Sequence, residues 1–392
     1  MLVIGGRDMA DGKVSVRVHG KGNLGAKPKA EMVADICRSL RNAEPKRPCQ
    51  YSMQFVLPKF RSRSLRGLMV VLMALFVPGL AISTLGETIQ LGTNVTICFS
   101  NVELGREILT RRDDFIAALS PLDRRARMQT DQDVLEKDFL AFVGRCFRPW
   151  TPEETNRITG VLQTLGDKLA RWNLPFPATI LLVKTSGEEE FNNCYTRQNA
   201  IVFPATEAAS RPSALGYLIP HELFHILSRH DPELRNACYG VIGFRPINEI
   251  ELPEELRQRK VTNPDGIQNG WRIGLTNQNE ALQAVPILLA TGPGFNPNEP
   301  GASPYDYFRL LVVKPDGTNW VAQRVAGRPR LLRPAETTGW FEQIGRNTRY
   351  TIHPDEILAD NFVRLINGDT NVPTPQIIAA MANVFSQPTS KK

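Results

Sequence analysis

His221, Glu222 and His225 stand in the run His-Glu-Leu-Phe-His at 221–225. On a helix, residues four apart share a face, so the two imidazoles can converge on one ion. Their nitrogens would meet a zinc ion at roughly 2.0–2.1 Å. Glu222 lies beside that face, placed to take a proton from water that the metal activates. The plain alternative is a helix with two histidines and no metal. The chain has 5 His, and two of them fill this pattern.

A catalytic zinc needs a third protein ligand and an open position. Three residues downstream offer one. His230 lies five after His225, which on a continuing helix points away. Asp231 completes the spacing HExxHxxSxxD, with Ser228 where a tight turn would want Gly. Glu356 sits in His353-Pro-Asp-Glu-Ile-Leu-Ala-Asp-Asn-Phe362, four residues before Asp360.

The HExxH at 221–225 with the ExxxD at 356–360 resembles the gluzincins, the thermolysin-like zinc peptidases. The resemblance implies His221, His225 and Glu356 as ligands of one catalytic Zn2+ and Glu222 as general base. It implies that Asp360 accepts a hydrogen bond from a ligating histidine and fixes its tautomer. It also implies a zincin-like fold, a peptide or protein substrate, and an edge strand before the helix on which substrate pairs. Asp231 stays open as the third ligand. A group to stabilise the oxyanion is sought among Tyr350, His353, Tyr305 and Tyr307, with Tyr350 and His353 nearest Glu356 in sequence. Pro220 precedes His221 and is expected to remove a backbone bond and kink the helix.

The surrounding elements read as α+β: a small mixed sheet, an active-site helix and a helical C-terminal part. Residues 87–98 read as a strand, and 102–147 as charged helix. Thr151-Pro-Glu-Glu154 is a capping box opening a helix toward Trp172. Ala178–Lys184 and Cys194–Phe203 read as strands leading to the 221–225 helix. Residues 231–304 are rich in Pro, Asn and Gly and read as a loop-rich insertion within a 151–392 catalytic domain. Strands follow at 307–313 and 320–325 around Lys314-Pro-Asp-Gly, then helices at 354–366 and 375–385.

Upstream, Lys59, Arg61, Arg63 and Arg66 precede an apolar run from Leu68 to Phe76, then Pro78-Gly79 and Ala81-Ile82-Ser83. Basic region, short apolar stretch, helix breaker and small-x-small site follow the order of a secretory signal peptide. The run is shorter than the about 20 residues a membrane span needs. Residues 53–83 are therefore expected to be a cleaved leader starting at Met53, and 1–52 an over-extended, disordered start. Residues 84–150 form an N-terminal, mainly helical region. The protein is expected to be exported, secreted or periplasmic, without stable membrane insertion after cleavage.

The net charge of +7 over 392 residues suggests an anionic partner. Its location removes the suggestion. Residues 1–83 hold 14 Lys+Arg and 5 Asp+Glu, leaving 33 against 35 in the rest. No nucleic-acid partner is expected. Of the 6 Cys, Cys98, Cys146, Cys194 and Cys238 follow the leader. They permit two disulfides in an exported chain but lack metal-knuckle spacing, so buried thiols are expected. The competing function is a secreted protein that holds zinc without turnover.

Overall fold

The computed structural model describes residues 85–387, except 173, 291, 293 and 298–306, with the backbone of three short strands nearer the N-terminus. Those three, Leu2–Val3, Lys13–Val18 and Gly22–Pro28, pair as an antiparallel sheet in the stretch expected to be disordered. They belong to a separate unit, residues 1–78. The leader proposed at 53–83 lies outside the described residues.

The second unit opens with a hairpin. β1 (Leu85–Leu91) and β2 (Val95–Ser100) are antiparallel. The single strand expected at 87–98 is broken because Gly92 turns the chain at φ +65°. β3 (Thr179–Thr185) and β5 (Ala200–Pro204) run parallel to β2, and β4 (Tyr195–Arg197) adds an antiparallel edge. The sheet order is β1-β2-β3-β5-β4, a five-stranded mixed sheet.

Alternation along these strands sends side chains to two cores. Ile180, Leu182, Ile201 and Phe203 face one core with helices α5 (Pro152–Leu169) and α6 (Pro212–His230). Val183, Ala200 and Val202 face the other, with α1 (Val102–Thr110), α2 (Asp114–Ala118) and α4 (Glu136–Cys146). A short helix, α3 (Pro121–Arg127), lies between α2 and α4 and opens with a Ser120/Asp123 capping box. The expected Thr151/Glu154 capping box is present on α5.

Residues 231–304 are more ordered than loops. They supply α7 (Pro232–Val241), β6 (Phe244–Pro246), β7 (Trp271–Asn277) and β8 (Glu280–Leu289). β9 (Tyr307–Asp316) and β10 (Asn319–Ala322) continue an antiparallel sheet in the order β10-β9-β8-β7-β6. The weak periodicity has a physical cause. Ala284 faces the main core and Val285, Ile287 and Leu289 a second one, so β8 is buried on both faces and shows no apolar-polar alternation. The chain then forms α8 (Trp340–Ile344), α9 (Pro354–Asn367) and α10 (Pro375–Ser386). The architecture is mixed α+β.

α6 carries His221, Glu222 and His225, and α9 packs along it. Nearly every residue of α6 from Ile219 to Ser228 is buried, so this helix is held from all sides. It runs 19 residues across Pro220 without interruption. Proline cannot donate to the carbonyl four residues back, that of Gly216.

Among the described residues no helix is long and apolar enough to cross a membrane. The four described cysteines are all free thiols, three of them buried.

Candidate metal centre

The helical spacing puts His221 and His225 one above the other, ring centroids 4.8 Å apart. α9 brings Glu356 to them. Its Oε2 lies 3.2 Å from His221 Nε2 and 3.4 Å from His225 Nε2. Ligand atoms of His221, His225 and Glu356 all fall within 4.8 Å of one another, and all three residues are buried. One carboxylate oxygen facing two imidazole nitrogens is a donor set of the kind zinc takes.

The outer nitrogens are held as well. His221 Nδ1 is 3.0 Å from Asp360 Oδ1, which also accepts from the Tyr217 hydroxyl at 2.8 Å. Thr348 donates to the other Asp360 oxygen. His225 Nδ1 is 2.7 Å from Asp355 Oδ2. Asp355 Oδ1 in turn accepts from Ser228 at 2.6 Å and Tyr239 at 2.8 Å. Each imidazole thus gives its outer N–H to a carboxylate, leaving Nε2 as the acceptor that a metal requires. Asn263 Nδ2 donates to Glu356 Oε1 at 2.5 Å, which turns Oε2 toward the histidines.

Two polar atoms at this point have no hydrogen-bond partner although buried: His225 Nε2 and Glu222 Oε2. Leaving such groups unsatisfied costs about 1–3 kcal/mol each. An ion on His225 Nε2 and a water on Glu222 would satisfy both, so the residues present fit a bound metal.

The electrostatics follow from burial and proximity. Burial alone would push His221 down, but its bonds to Asp360 and Glu356 lift it from 6.5 to about 10. His225 is also raised against burial, by Asp265, Glu356 and Asp355. Glu356 is buried, yet the two imidazoles hold it well below the usual carboxylate range. Glu222 goes the other way: burial and the nearby Asp265 push its carboxyl up.

His221, Glu222, Glu356 and Asp360 line one side of an open cavity of about 720 Å3. Tyr217 and Tyr350 stand at its edge, 42% and 44% exposed. The Tyr350 ring stacks over His221 at 6.4 Å and 24°.

His353 is used differently from the expectation. It is buried at the N-cap of α9, where Nδ1 accepts from the Asp355 N–H at 3.1 Å. Its Nε2 then donates to the Gln268 carbonyl at 3.2 Å. Both nitrogens are committed, and His353 does not line the cavity. Asp231 is likewise a helix cap, accepting from Glu233 and Leu234 at the start of α7. His230 is exposed at the end of α6. Of the three candidate third ligands, Glu356 is therefore the one that the structure brings to the two histidines. Tyr305 lies outside the described residues, and Tyr307 opens β9.

Sequence reasoning missed Asp355, Asn263, Asp265 and Tyr217. Tyr217 had a signal: it lies four residues before His221, on the same helical face. Asp265 reaches the site from the 261–270 loop. Its Oδ1 accepts the Thr196 N–H of edge strand β4 at 2.8 Å, and the Thr196 hydroxyl as well. The strand directly before the helix, Ile201–Phe203, was expected to be the edge; it lies in β5, between β3 and β4, and the edge is β4, one of whose backbone donors Asp265 occupies.

Comparison with protein families, curated proteins and solved structures finds no match to this chain.

Proposed function

We propose that the chain is an exported, zinc-dependent peptidase of zincin type. In this reading His221, His225 and Glu356 hold one catalytic zinc ion and Glu222 is the general base. One observation carries it: three buried ligand atoms converge beside an open cavity, with Glu222 Oε2 buried and unpartnered next to them.

Zinc held there supplies Lewis acidity, lowering the pKa of water toward neutrality and polarising the scissile carbonyl. The protein's own groups do the rest. Glu222, with its proton affinity raised by burial, takes a proton from the attacking water and delivers it to the leaving amine. Asp360 and Asp355 hold the imidazoles in the tautomer that frees Nε2. Asn263 orients Glu356. Tyr350, at the cavity edge over His221, is the candidate donor to the developing oxyanion.

The mixed sheet with its antiparallel edge strand β4, followed by the histidine-bearing helix, supports the zincin comparison. The basic and apolar leader sequence supports export. A near-balanced charge beyond residue 83 gives no reason to add a nucleic-acid partner.

The test is metal analysis and a peptide-cleavage assay on the purified protein, with Glu222→Gln as control. We expect about one zinc per chain and hydrolysis abolished by chelator. Glu222→Gln should keep zinc and lose activity by about 100- to 10,000-fold. An unimpaired Glu222→Gln refutes the assignment. Zinc bound with no peptide cut favours a zinc-holding protein without turnover.

A further inference from the structure

Among the described residues, the cavity beside His221 is lined by six carboxylates, Glu190, Glu207, Glu222, Asp265, Glu356 and Asp360, and by no lysine or arginine. Three are accounted for. Arg127 holds Glu190 with two bonds of 2.7 Å, while Glu356 and Asp360 face imidazoles.

The other three come from separate elements: Glu207 from the turn Ala205–Ala208, Glu222 from α6 and Asp265 from the 261–270 loop. All three line the same cavity as Cys194. Burial first, and then these three carboxylates, keep the Cys194 thiol protonated. None has an ion-pair partner among the described residues. Glu207 accepts from Ser210 at 3.1 Å, and Asp265 accepts only from Thr196. Glu222 is 3% exposed, and its Oε2 has no partner. Like charges brought together in a partly desolvated wall repel one another unless a cation joins them.

We propose that this wall receives a positively charged group of the substrate: the side chain of a lysine or arginine, or a free N-terminal ammonium. Asp265 and Glu207 are the specificity residues, since Glu222 is shared with the chemistry. The proposal rests on the peptidase reading above.

The test uses the zinc-loaded full chain and a matched peptide set. A central position carries lysine, norleucine or glutamate, and the N-terminus is free or acetylated. We expect kcat/KM for a lysine peptide to exceed its norleucine counterpart by about tenfold or more, mainly through KM. Asp265→Asn and Glu207→Gln should each shrink that ratio, raising KM for the lysine peptide more than for the norleucine peptide. A lysine preference that survives acetylation assigns the wall to a side chain; no lysine preference, with acetylated peptides bound more weakly than free ones, assigns it to the N-terminal ammonium. Calorimetric binding of the same peptides reads the ratio even if none is cut, so absent cleavage sinks the peptidase reading alone. Equal affinity for lysine and norleucine peptides, together with equal affinity for free and acetylated N-termini, overturns the proposal. So does a metal ion that is kept in Glu356→Ala and lost in Asp265→Asn, because Glu222, His225 and Asp265 would then be its ligands.

Discussion

Asp355 and Glu356 are neighbours in sequence and face the same pair of imidazoles from opposite sides. Glu356 faces both Nε2 atoms, while Asp355 takes the Nδ1–H of His225 at 2.7 Å. Replacing Asp355 by Asn keeps the shape but removes the charge that polarises His225. We expect a 10- to 100-fold loss of zinc affinity in a competition titration, roughly the range for such partners. Asp231→Ala supplies the contrast. It removes the cap of α7, costing about 1 kcal/mol in urea unfolding, and leaves zinc affinity unchanged. Zinc lost in Asp231→Ala but retained in Asp355→Asn would reverse the ligand assignment. His221 and His225 were legible in the sequence because helical spacing puts them on one face with Glu222 beside it, whereas Glu356 and Asp360 entered through the resemblance to the gluzincins. Asp355, Asn263 and Asp265 were not legible, because their roles depend on which elements meet in three dimensions. His353 misled for a related reason. Histidine suggests chemistry, yet here it fills a helix-cap position usually taken by Ser, Thr, Asp or Asn.

The pairing of α6 with α9 is where the site and the fold share their interactions. α9 was readable from its proline start and apolar positions and α6 from the HExxH spacing, but their contact was implied only by the resemblance to the gluzincins. The second sheet was far less readable, since β8 lacks alternation and the turns around it resemble loop composition. The helix pair makes a pH prediction. His221 is raised from 6.5 to about 10, so in chelator-treated protein its bonds to Asp360 and Glu356 stabilise fully below 6.5 and fade as pH rises toward about 10. Glu356 is depressed from 4.5, so its contribution holds above 4.5 and is lost as pH falls through its lower folded value. Zinc has the opposite trend above neutrality, because binding must displace the imidazole protons and so tightens with pH. The gap in Tm between zinc-loaded and chelator-treated protein should therefore widen from about pH 6 to about pH 9. A gap that is flat or narrows over that range refutes the ligand set.

At the scale of the molecule, the N-terminal helical region is part of the machinery and not an appendage. β2 lies inside the sheet, between β1 and β3, and Ile97 and Phe99 sit in the main core. From α3, Arg127 reaches Asp123 at 2.9 Å, Glu190 at 2.7 Å and the Thr262 carbonyl at 2.8 Å. Asp123 also accepts from the Thr262 N–H at 2.9 Å and hydroxyl at 2.8 Å. Arg127 and Asp123 are fully buried, so this network is desolvated and depends on every member being satisfied. It clamps the backbone one residue before Asn263, which orients Glu356, and three before Asp265. Zinc affinity should therefore depend on residues well outside the ligand shell. Arg127→Met leaves Asp123 and Glu190 buried without their cation and should cost about 3–5 kcal/mol in urea unfolding. Thr262→Val is milder, removing one hydroxyl while keeping the charges paired, and should leave the protein folded. Its zinc affinity should still fall, because the loop that presents Asn263 loses one of its anchors. If Thr262→Val binds zinc as tightly as the parent at equal fold content, the clamp serves stability alone and the coupling between α3 and the metal centre does not exist.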